Sequence, residues 1–437
     1  MAQASTSRKR TRQKKGNPED RRGALPDRRP LAGIRIADFT WFWAGPYATM
    51  LLAMLGAEVI KIETIHRLDP MRLDQQRRSA FTGRDPATIP LQEVEKSVLW
   101  HDINLSKMSV RLNLRYPEAQ EVARRLVTVS DVVVENFSPG VMRKLGLGYE
   151  SLRKLRPDVV MMSSSACGQT GPESHYVGYA TIFNAISGMG HLTGYPDLPP
   201  ADIRDGSDLR VATTSAFALL AALRHQRLTG EGQYIDLSAK EVLTTLIGDA
   251  IIDYQMTGRV RVRAGNQDDI LAPHNCYPAR GRDRWISIAV ANDEEWRGLC
   301  RAMGRPDLMD DARFNDAYRR WQNQKGLDEL IAQWTAEYDA IELMHLLQKH
   351  GVAAAPSMNG KDIFNDLHLK EWGAFAEVEH PIMGRRAVVG VPWRFSESSV
   401  KVERAPLMGE HGEHVFGDVL GMSAGDIERL VEQGVIA

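Results

Sequence analysis

The chain of 437 residues predicts an α/β protein, with a large doubly wound domain built on a parallel sheet and a smaller α+β domain. Short apolar runs alternate with helical patterns over the first half of the chain, as repeated β–α units do. These runs lack the polar alternation of a half-exposed strand, which indicates strands buried on both faces of a parallel sheet. Beyond about residue 270 the pattern changes to shorter strands and longer helices, which indicates a second domain.

The elements of the large domain follow from two kinds of pattern. Near-continuous apolar runs bounded by turn residues predict strands at 33–39, 58–63, 109–114, 131–136 and 158–165, and "TGEGQYIDLS" at 229–238 predicts a turn that leads into a strand. Apolar residues at helical spacing predict helices at 47–57, 117–130 and 212–227. Pro117 stands at the start of the second helix, where proline is favoured because its missing N–H is not needed.

The second half of the chain supplies the smaller domain and the segments that connect it. Helices are predicted at 240–258, 294–304 and 327–351, and strands at 284–293, 374–381 and 387–396, the last two as an antiparallel pair. A final helix at 423–437 is predicted without assignment to either domain. The predicted organisation is a tail at 1–30, a large domain at 31–230 completed by about 400–437, a linker helix at 231–270, a small domain at 271–385 and a return linker at 386–399.

Composition excludes several classes of protein. The formal net charge of −1 argues against nucleic acid as a partner of the whole chain. Cys167, Cys276 and Cys300 are scattered, which argues against a disulfide framework or a zinc site and favours a reducing, cytoplasmic compartment. No apolar run approaches the roughly 18 residues of a membrane helix.

The tail at 1–30 is rich in Lys and Arg and has almost no large apolar residue, so we expect it to be disordered. Contact of this tail with nucleic acid or an acidic surface is the alternative.

The opening strand, loop, helix and second strand, ending at Glu63, have the order of a Rossmann-like dinucleotide site. Such a site needs G-x-G-x-x-G in the first turn, so that the backbone can approach a pyrophosphate. Here the turn is "TWFWAGP", with one glycine and two tryptophans. The large rings would block that approach, so NAD or FAD is not an expected cofactor.

Five segments together carry a family resemblance: "WAGPYATMLLAMLGAEVIKIE" (43–63), "VVVENFSPGVMRKLGLGYESL" (132–152), "SSACGQTGP" (164–172), "LTGEGQYIDLS" (228–238) and "APLMGEHGEHV" (405–415). In this order and spacing the chain resembles the family III CoA-transferases, also called the CaiB/BaiF family. The resemblance covers nearly all of 31–437. It implies interlocked homodimers, acyl-CoA and carboxylic acids as substrates, and neither a metal nor a permanently bound cofactor. A heteromer with a related chain is the alternative assembly.

The resemblance also implies covalent catalysis by an aspartate. That aspartate forms a mixed anhydride with the acyl group and then an aspartyl-CoA thioester. In the family it lies 20 residues before a TG-x-GQ turn; here Asp208 lies 20 residues before Leu228 of "LTGEGQ". The loop before it is one residue shorter than in the family, which leaves Asp205 as an alternative. A helix N-cap is the structural alternative for Asp208, and Asp202 is expected to be a solvated loop carboxylate.

Further positions carry over from the family to the coenzyme. CoA contacts are implied for Ala44, Asn136, Phe137, Lys144 and Leu145, and a contact near the reacting thioester for Tyr179. Thr64 replaces a basic residue of the family's oxalate–formate branch. Arg67 or Arg72 is therefore expected to take over a phosphate contact, because guanidinium suits phosphate geometry. A capping amide for Asn136 and a core aromatic for Phe137 are the alternatives.

The acyl pocket is predicted from "WFW" at 41–43. Trp41 and Trp43 put large rings where the oxalate–formate branch has smaller polar groups, which suits an apolar or aryl acyl group. Arg204 and Arg210, beside the predicted nucleophile, suit a second carboxylate of a dicarboxylic acyl group. Core packing of the rings, and surface pairing of the arginines with neighbouring aspartates, are the alternatives.

Two other functions share this fold. An α-methylacyl-CoA racemase needs an aspartate where this chain has Thr181 or Ala180, and His175 and His191 lack that partner in the sequence. A CoA-binding subunit that is inactive without a related partner chain is the other alternative.

Overall fold

The computed structural model describes residues 29–73 and 90–437, and its centre is a six-stranded, fully parallel sheet. The strand order is β3-β2-β1-β4-β5-β6, which is the order of a doubly wound dinucleotide-type fold. The strands are β1 (Arg35–Asp38), β2 (Glu58–Glu63), β3 (Met108–Arg111), β4 (Val132–Glu135), β5 (Val160–Ser165) and β6 (Tyr234–Ser238). All six were predicted, so the α/β class with a parallel sheet is confirmed.

Helices accompany these strands along the chain, and some of them cover the two faces of the sheet. They are α1 (Ala44–Met54), α2 (Leu91–Val94), α3 (Val98–Ile103), α4 (Pro117–Thr128), α5 (Val141–Lys144), α6 (Tyr149–Leu155), α7 (Ala180–Ile186), α8 (Met189–Leu192), α9 (Arg204–Thr229), α10 (Ala239–Thr244) and α11 (Gly248–Thr257). Successive strand residues enter different cores, as pleating requires: Val133 and Met161 face α4, whereas Val134 and Met162 face α1 and α9.

The long helix α9 starts eight residues earlier than predicted. The sequence "RDGSDLR" is rich in residues typical of turns, so the prediction began the helix at 212. In the structure Ile203 occupies the N-cap position and offers no capping side chain. Packing of α9 against α1 and α7 outweighs the local preference for a turn. Asp208 lies in the second turn of α9, so the N-cap alternative for this residue is wrong.

Two long helical patterns are each divided in the structure. The predicted helix at 240–258 is α10 and α11, separated by a one-turn 3₁₀ helix at Thr245–Ile247. The predicted helix at 327–351 is likewise two helices, Gln324–Thr335 and Ala340–Lys349. Asp339 starts the second of these, because its carboxylate accepts hydrogen bonds from the N–H groups of Ile341 and Glu342.

The second half of the chain has its own sheet and core. Its elements are β7 (His274–Pro278), β8 (Trp285–Ala289), α12 (Asp293–Ala302), α13 (Ala317–Gln322), α14 (Gln324–Thr335), α15 (Ala340–Lys349), β9 (Ala353–Pro356), α16 (Gly360–Asn365), α17 (Leu367–Trp372), β10 (Phe375–His380), β11 (Gly384–Val389), a π-helix (Glu413–Val419) and α18 (Ala424–Glu432). Strands β7, β8 and β9 form one antiparallel sheet, and β10 pairs with β11 as predicted. Trp296, Leu299 and Leu343 belong to a core separate from those of the parallel sheet.

The C-terminal segment returns to the parallel sheet. Leu430 of α18, with Val435 and Ile436, packs in the same core as Val133 and Met161. This contact assigns the final helix, which the sequence left unassigned, to the large sheet. Within the described ranges, no helix has the length and apolar character needed to span a membrane. The predicted tail up to residue 28 lies outside these ranges.

Candidate active site

The site begins where the sheet changes winding direction, between β1 and β4. Strand β1 pairs with β2 on one side and with β4 on the other, so the chain leaves β1 and β4 in opposite directions. The loops after these strands, 39–43 and 136–140, therefore separate and leave a crevice at the carboxyl edge of the sheet. Ligands of open α/β sheets bind in crevices of this kind.

The loop at 39–43 is held in one conformation by side chains beneath it. Asn136 Oδ1 accepts a hydrogen bond from the Trp41 N–H at 2.7 Å, and its Nδ2 donates to the Trp41 carbonyl at 2.7 Å. Phe42 has a left-handed φ of 62°, which costs a bulky residue about 1–3 kcal/mol. Its N–H is bound by Asp69 Oδ1 at 3.2 Å, and Lys61 Nζ donates to the Thr40 carbonyl. The loop is therefore preorganised.

The glycine of "AGP", the second residue of α1, is required for steric reasons. A Cβ on Gly45 would lie 2.5 Å from the Cβ of Thr40 and 3.1 Å from Asn136 Nδ2. Only glycine lets the first turn of α1 approach the loop and the clamping amide so closely.

Several predicted coenzyme residues meet above this loop. The Arg67 guanidinium lies 5.0 Å from the centre of the Trp41 ring, and the Phe137 ring stands edge-on to Trp41 at 6.0 Å. Arg67 is exposed, so its outer face can reach a phosphate. Ala44 is the first residue of α1, beside the same loop. Lys144, at the end of α5, is exposed, and Leu145 after it is half-buried.

Arg72 does not fit its predicted role. Its guanidinium is fully buried and binds Glu63 through Nε at 2.6 Å and Glu95 through Nη1 at 2.8 Å, while the Trp100 ring lies 3.6 Å away. A phosphate contact would have to break a buried, hydrogen-bonded ion cluster, so the structure leaves Arg67 as the predicted phosphate ligand. Trp43 packs against the cluster around Trp100, which favours the core alternative for this ring.

Asp208 lies on the buried side of α9. The buried residues Val211 and Ser215 follow it at helical spacing, and Val211 shares a core with Ala44 and Phe183. Because α9 precedes β6 in a parallel β–α unit, its N-terminal turns lie at the carboxyl edge of the sheet. Asp208, itself half-buried, is thus placed beside the starts of α1 and α7.

The charged residues next to Asp208 in the sequence do not all lie beside it in the structure. Arg210 follows two residues later, about 200° around the helix, and is exposed on the opposite face, away from Asp208. Asp202 accepts a hydrogen bond from the Thr181 hydroxyl at 2.8 Å. The side chains of Arg204 and Asp205 lie outside the described part of the structure, so Asp205 stays an alternative.

Tyr179 connects the loop at 39–43 to α7. It occupies the N-cap position of α7, is 59% exposed, and its ring lies 5.2 Å from that of Phe42. At the position of a racemase base, Ala180 is buried and the Thr181 hydroxyl is bound to Asp202. Across 29–73 and 90–437, no ion pair joins His175 or His191 to a carboxylate, and no group of three or more His, Cys, Asp or Glu side chains could hold a metal ion.

The sequence reasoning missed a buried acidic residue beneath the crevice. Glu135 ends β4 and is 2% exposed, and its Oε2 accepts a hydrogen bond from the Phe137 N–H at 2.7 Å. Burial, with a smaller contribution from nearby Asp236, raises the pKa of Glu135 to about 7. The signal was present in "VVVEN", where a charged residue ends an apolar strand. Nearby, the Nε2 of Gln169 is buried and has no hydrogen-bond partner among the described residues.

Two cavities lie away from this crevice. One, of about 550 Å³, is lined by residues from the amino ends of the parallel strands, including the paired charges of Arg35 and Glu58. The other, of about 570 Å³, lies on the outer face of the β7–β8–β9 sheet, beside Cys276 and Ser287. Neither contains a residue predicted for catalysis, so the crevice at the carboxyl edge remains the candidate site.

Comparison with known proteins gives this crevice a chemical context. The sequence pattern described as "CoA-transferase family III" matches residues 31–412. The succinyl-CoA–D-citramalate CoA-transferase of Chloroflexus aurantiacus is 35% identical over 410 residues, which cover 93% of this chain and 98% of that protein. The alpha subunit of a succinyl-CoA–L-malate CoA-transferase from Chloroflexus aurantiacus is 32% identical over 426 residues, 96% of each chain.

A solved structure supports the same assignment. The crystal structure of a CaiB/BaiF family protein from Brucella suis matches with a TM-score of 0.78 at 29% identity, over 89% of this chain and 99% of that one. The family pattern spans most of the chain, and the relatives match nearly end to end. The chain therefore belongs to CoA-transferase family III, the CaiB/BaiF family, and is a CoA-transferase.

Proposed function

We propose that this enzyme moves CoA from succinyl-CoA to a second dicarboxylic acid, through an aspartyl-CoA thioester on Asp208. The observation that carries the proposal is the position of Asp208, on the buried side of α9 at the carboxyl edge of the sheet. The choice of substrates rests on two relatives whose names pair succinyl-CoA with D-citramalate and with L-malate, both dicarboxylic acids. The aryl acyl group expected from Trp41 has no such support.

The proposed reaction is a series of acyl transfers that balance at each step. A carboxylate oxygen of Asp208 attacks the thioester carbonyl of succinyl-CoA, which forms a mixed anhydride and releases the CoA thiolate. The thiolate attacks the Asp208 carbonyl, forms the aspartyl-CoA thioester and releases succinate. The acceptor carboxylate then attacks this thioester, which forms a second mixed anhydride and releases the CoA thiolate. The thiolate attacks the acceptor's acyl carbonyl, forms the new acyl-CoA and releases the Asp208 carboxylate. Packing around α9 supports exclusion of water, which would hydrolyse the anhydride.

We place CoA along the crevice between the loops at 39–43 and 136–140. The exposed Arg67 and Lys144 supply positive charge for its phosphates. Trp41 and Phe137 supply aromatic surface, and Ala44, Leu145 and Tyr179 line the path toward Asp208. The Asn136 amide binds the backbone N–H and carbonyl of Trp41, as the capping alternative describes, so it acts on the coenzyme through the loop at 39–43.

Replacing Asn136 with alanine should weaken coenzyme binding while leaving chemistry largely intact. The change removes both hydrogen bonds that hold Trp41, at about 0.5–1.5 kcal/mol each, so we expect KM for acyl-CoA to rise roughly tenfold. Initial-rate kinetics with varied acyl-CoA measure this. Asn365→Ala, which removes one exposed helix hydrogen bond, is the matched control and should leave KM unchanged. Equal losses of kcat and kcat/KM would contradict this role.

A panel of donors and acceptors tests the substrate proposal. Purified enzyme is mixed with succinyl-, acetyl- or benzoyl-CoA and a pool of mono- and dicarboxylic acids, and the new thioesters are identified by mass spectrometry. We expect the rate of transfer from succinyl-CoA to a dicarboxylic acid to exceed the rate for the other pairs by about a hundredfold. A site that binds a second carboxylate discriminates against substrates that lack this group. Preferential use of benzoyl-CoA would contradict the proposal and favour the aryl pocket.

A heteromer with a related chain is the alternative assembly, because one relative is named as the alpha subunit of its enzyme. An inactive CoA-binding subunit would bind CoA and give no thioester exchange in the same panel unless a related chain is added. The racemase alternative lacks a base at Thr181 or Ala180, and α-proton exchange in D₂O without an acceptor acid would revive it.

We further propose an interlocked homodimer and a two-domain organisation close to the one predicted from the sequence. Large apolar side chains are exposed along α9, α11 and the following segment, including Phe217 at 73%, Met256 at 80% and Ile270 at 78%. Exposed apolar surface of this extent is typical of an interface. The separate core around Trp296 supports a small domain that begins near residue 271. Two of the predicted limits move: β6 belongs to the parallel sheet, so the large domain continues beyond residue 230, and β11 pairs with β10 up to Val389, so the return linker begins after 389 rather than at 386.

A further inference from the structure

A polar row crosses three strands directly beneath the proposed coenzyme crevice. In the sheet register Glu135 of β4 pairs with Ser163 of β5, and Ser163 pairs with Asp236 of β6. The three side chains therefore lie side by side on one face of the sheet, at its carboxyl edge. The residues before them on that face, Val133 and Met161, belong to the apolar core, so the row marks the change from core to site.

Each carboxylate in this row holds the start of one site loop. Glu135 Oε2 accepts from the N–H of Phe137, in the loop proposed to carry CoA. Asp236 Oδ1 accepts from the N–H of Gln169 at 2.8 Å, in the loop "GQTGP". Glu135 is buried, whereas Asp236 is exposed to solvent, and the negative charge of Asp236 disfavours a second negative charge on Glu135, so a proton on Glu135 favours the observed arrangement.

We propose that Glu135 is a positioning residue for CoA: it holds the loop at 136–140 through the Phe137 N–H, and CoA binds less tightly when the carboxyl group releases its proton to solvent and becomes negatively charged. The inference rests on the proposed placement of CoA and names a residue that the family resemblance did not. Glu135 touches neither the reacting atoms nor the thioester; it acts through the Phe137 backbone and through its charge.

The charged and titratable groups around Glu135 favour this assignment. On β6, Asp236 and the Tyr234 hydroxyl face the carboxyl group, and on β5 the neighbour is the uncharged Ser163. From α6, Tyr149 stacks on Tyr234 at 5.2 Å. Within the described residues, no ion pair joins Glu135 to a cation. An ionised Glu135 would therefore add uncompensated negative charge below a loop that binds an anionic coenzyme.

The effect has a defined pH range. The carboxyl changes charge around its pKa of about 7, so between pH 6 and pH 8 the wild type passes from mostly protonated to mostly ionised. We expect the Kd for CoA to rise over this range by roughly fivefold more than in Glu135→Gln, whose amide keeps the acceptor oxygen without a charge. Stability gives an independent readout. A raised carboxyl pKa contributes stability below its ordinary value of 4.5, and this contribution is lost as pH rises to about 7.

Calorimetric titration of CoA into full-length wild type, Glu135→Gln and Asp236→Asn tests the inference at a series of pH values. Dephospho-CoA serves as a second probe, because the 3′-phosphate of CoA itself titrates near pH 6. In Asp236→Asn, which removes the neighbouring negative charge, the inflection should move to lower pH. Glu135→Ala should bind CoA weakly throughout, since it loses the acceptor for Phe137.

Two results would overturn the inference, and they differ in cause. If Glu135→Gln keeps the full pH dependence of the wild type, the titrating group lies elsewhere while CoA can still bind in the crevice. If Asn136→Ala and Phe137→Ala leave the Kd for CoA unchanged, the placement of CoA on which the inference rests is wrong. In that second case the pH dependence of unfolding would still report whether Glu135 titrates near neutrality.

Discussion

Replacing Asp208 with asparagine is expected to lower CoA transfer by roughly a thousandfold or more, because the amide cannot form the anhydride or the thioester on which exchange depends. Binding of CoA should change little, since the coenzyme is placed along loops 39–43 and 136–140 rather than on this side chain. The rate of succinyl-CoA consumption in the presence of acceptor acid, together with a Kd for CoA, measures both effects.

The neighbouring aspartates supply the controls for this variant. Asp202→Asn removes a carboxylate of the same segment that is bound to Thr181, so it should retain most of the activity. Asp205→Asn tests the alternative nucleophile three residues away on the same helix. A large loss in Asp205→Asn with activity kept in Asp208→Asn would reverse the assignment.

Replacing Arg72 with methionine should have the largest effect on stability. The change leaves Glu63 and Glu95 buried without the guanidinium that binds both, and the expected loss is about 3–5 kcal/mol of unfolding free energy. Denaturant unfolding followed by circular dichroism measures it. Adding Glu63→Gln and Glu95→Gln to this variant should recover part of the loss, because no uncompensated charge then remains buried.

An exposed ion pair of similar chemistry provides the comparison for Arg72. Arg124 pairs with Glu121 on the surface of α4, and Arg124→Met should change stability by less than about 1 kcal/mol. Equal effects of Arg72→Met and Arg124→Met would show that the buried ion cluster contributes no more to the free energy of unfolding than an exposed ion pair does.

The parallel sheet was predictable because its signal is local and strong. Runs such as "DVVVEN" and "DVVMMSSS" contain three or four consecutive apolar residues without polar alternation, as strands covered on both faces do. The start of α9 was not predictable, because "RDGSDLR" favours a turn locally and becomes helical through packing against α1 and α7. The break at Asp339 was missed for the opposite reason, since helical spacing continues across it.

Some residues of the candidate site were predictable from the sequence and others were not. Asn136, Phe137 and Trp41 were found through motif positions, and the structure brings them together around one loop. The sequence predicted the wrong contact for Arg72 and gave no role to Glu135. Burial and contacts with other elements determine the surroundings of both side chains, and neither can be read from the sequence. The sequence shows only that Arg72 follows the end of a strand, whereas the fold shows that its guanidinium already binds Glu63 and Glu95.

Trapping the covalent intermediate tests whether Asp208 is the nucleophile. Enzyme is incubated with succinyl-CoA without an acceptor acid, treated with or without hydroxylamine, digested and examined by mass spectrometry. We expect CoA attached to the peptide that contains Asp208, conversion of this adduct to a hydroxamate by hydroxylamine, and no adduct in Asp208→Asn. An adduct on a different residue, or the same adduct in Asp208→Asn, would contradict the account.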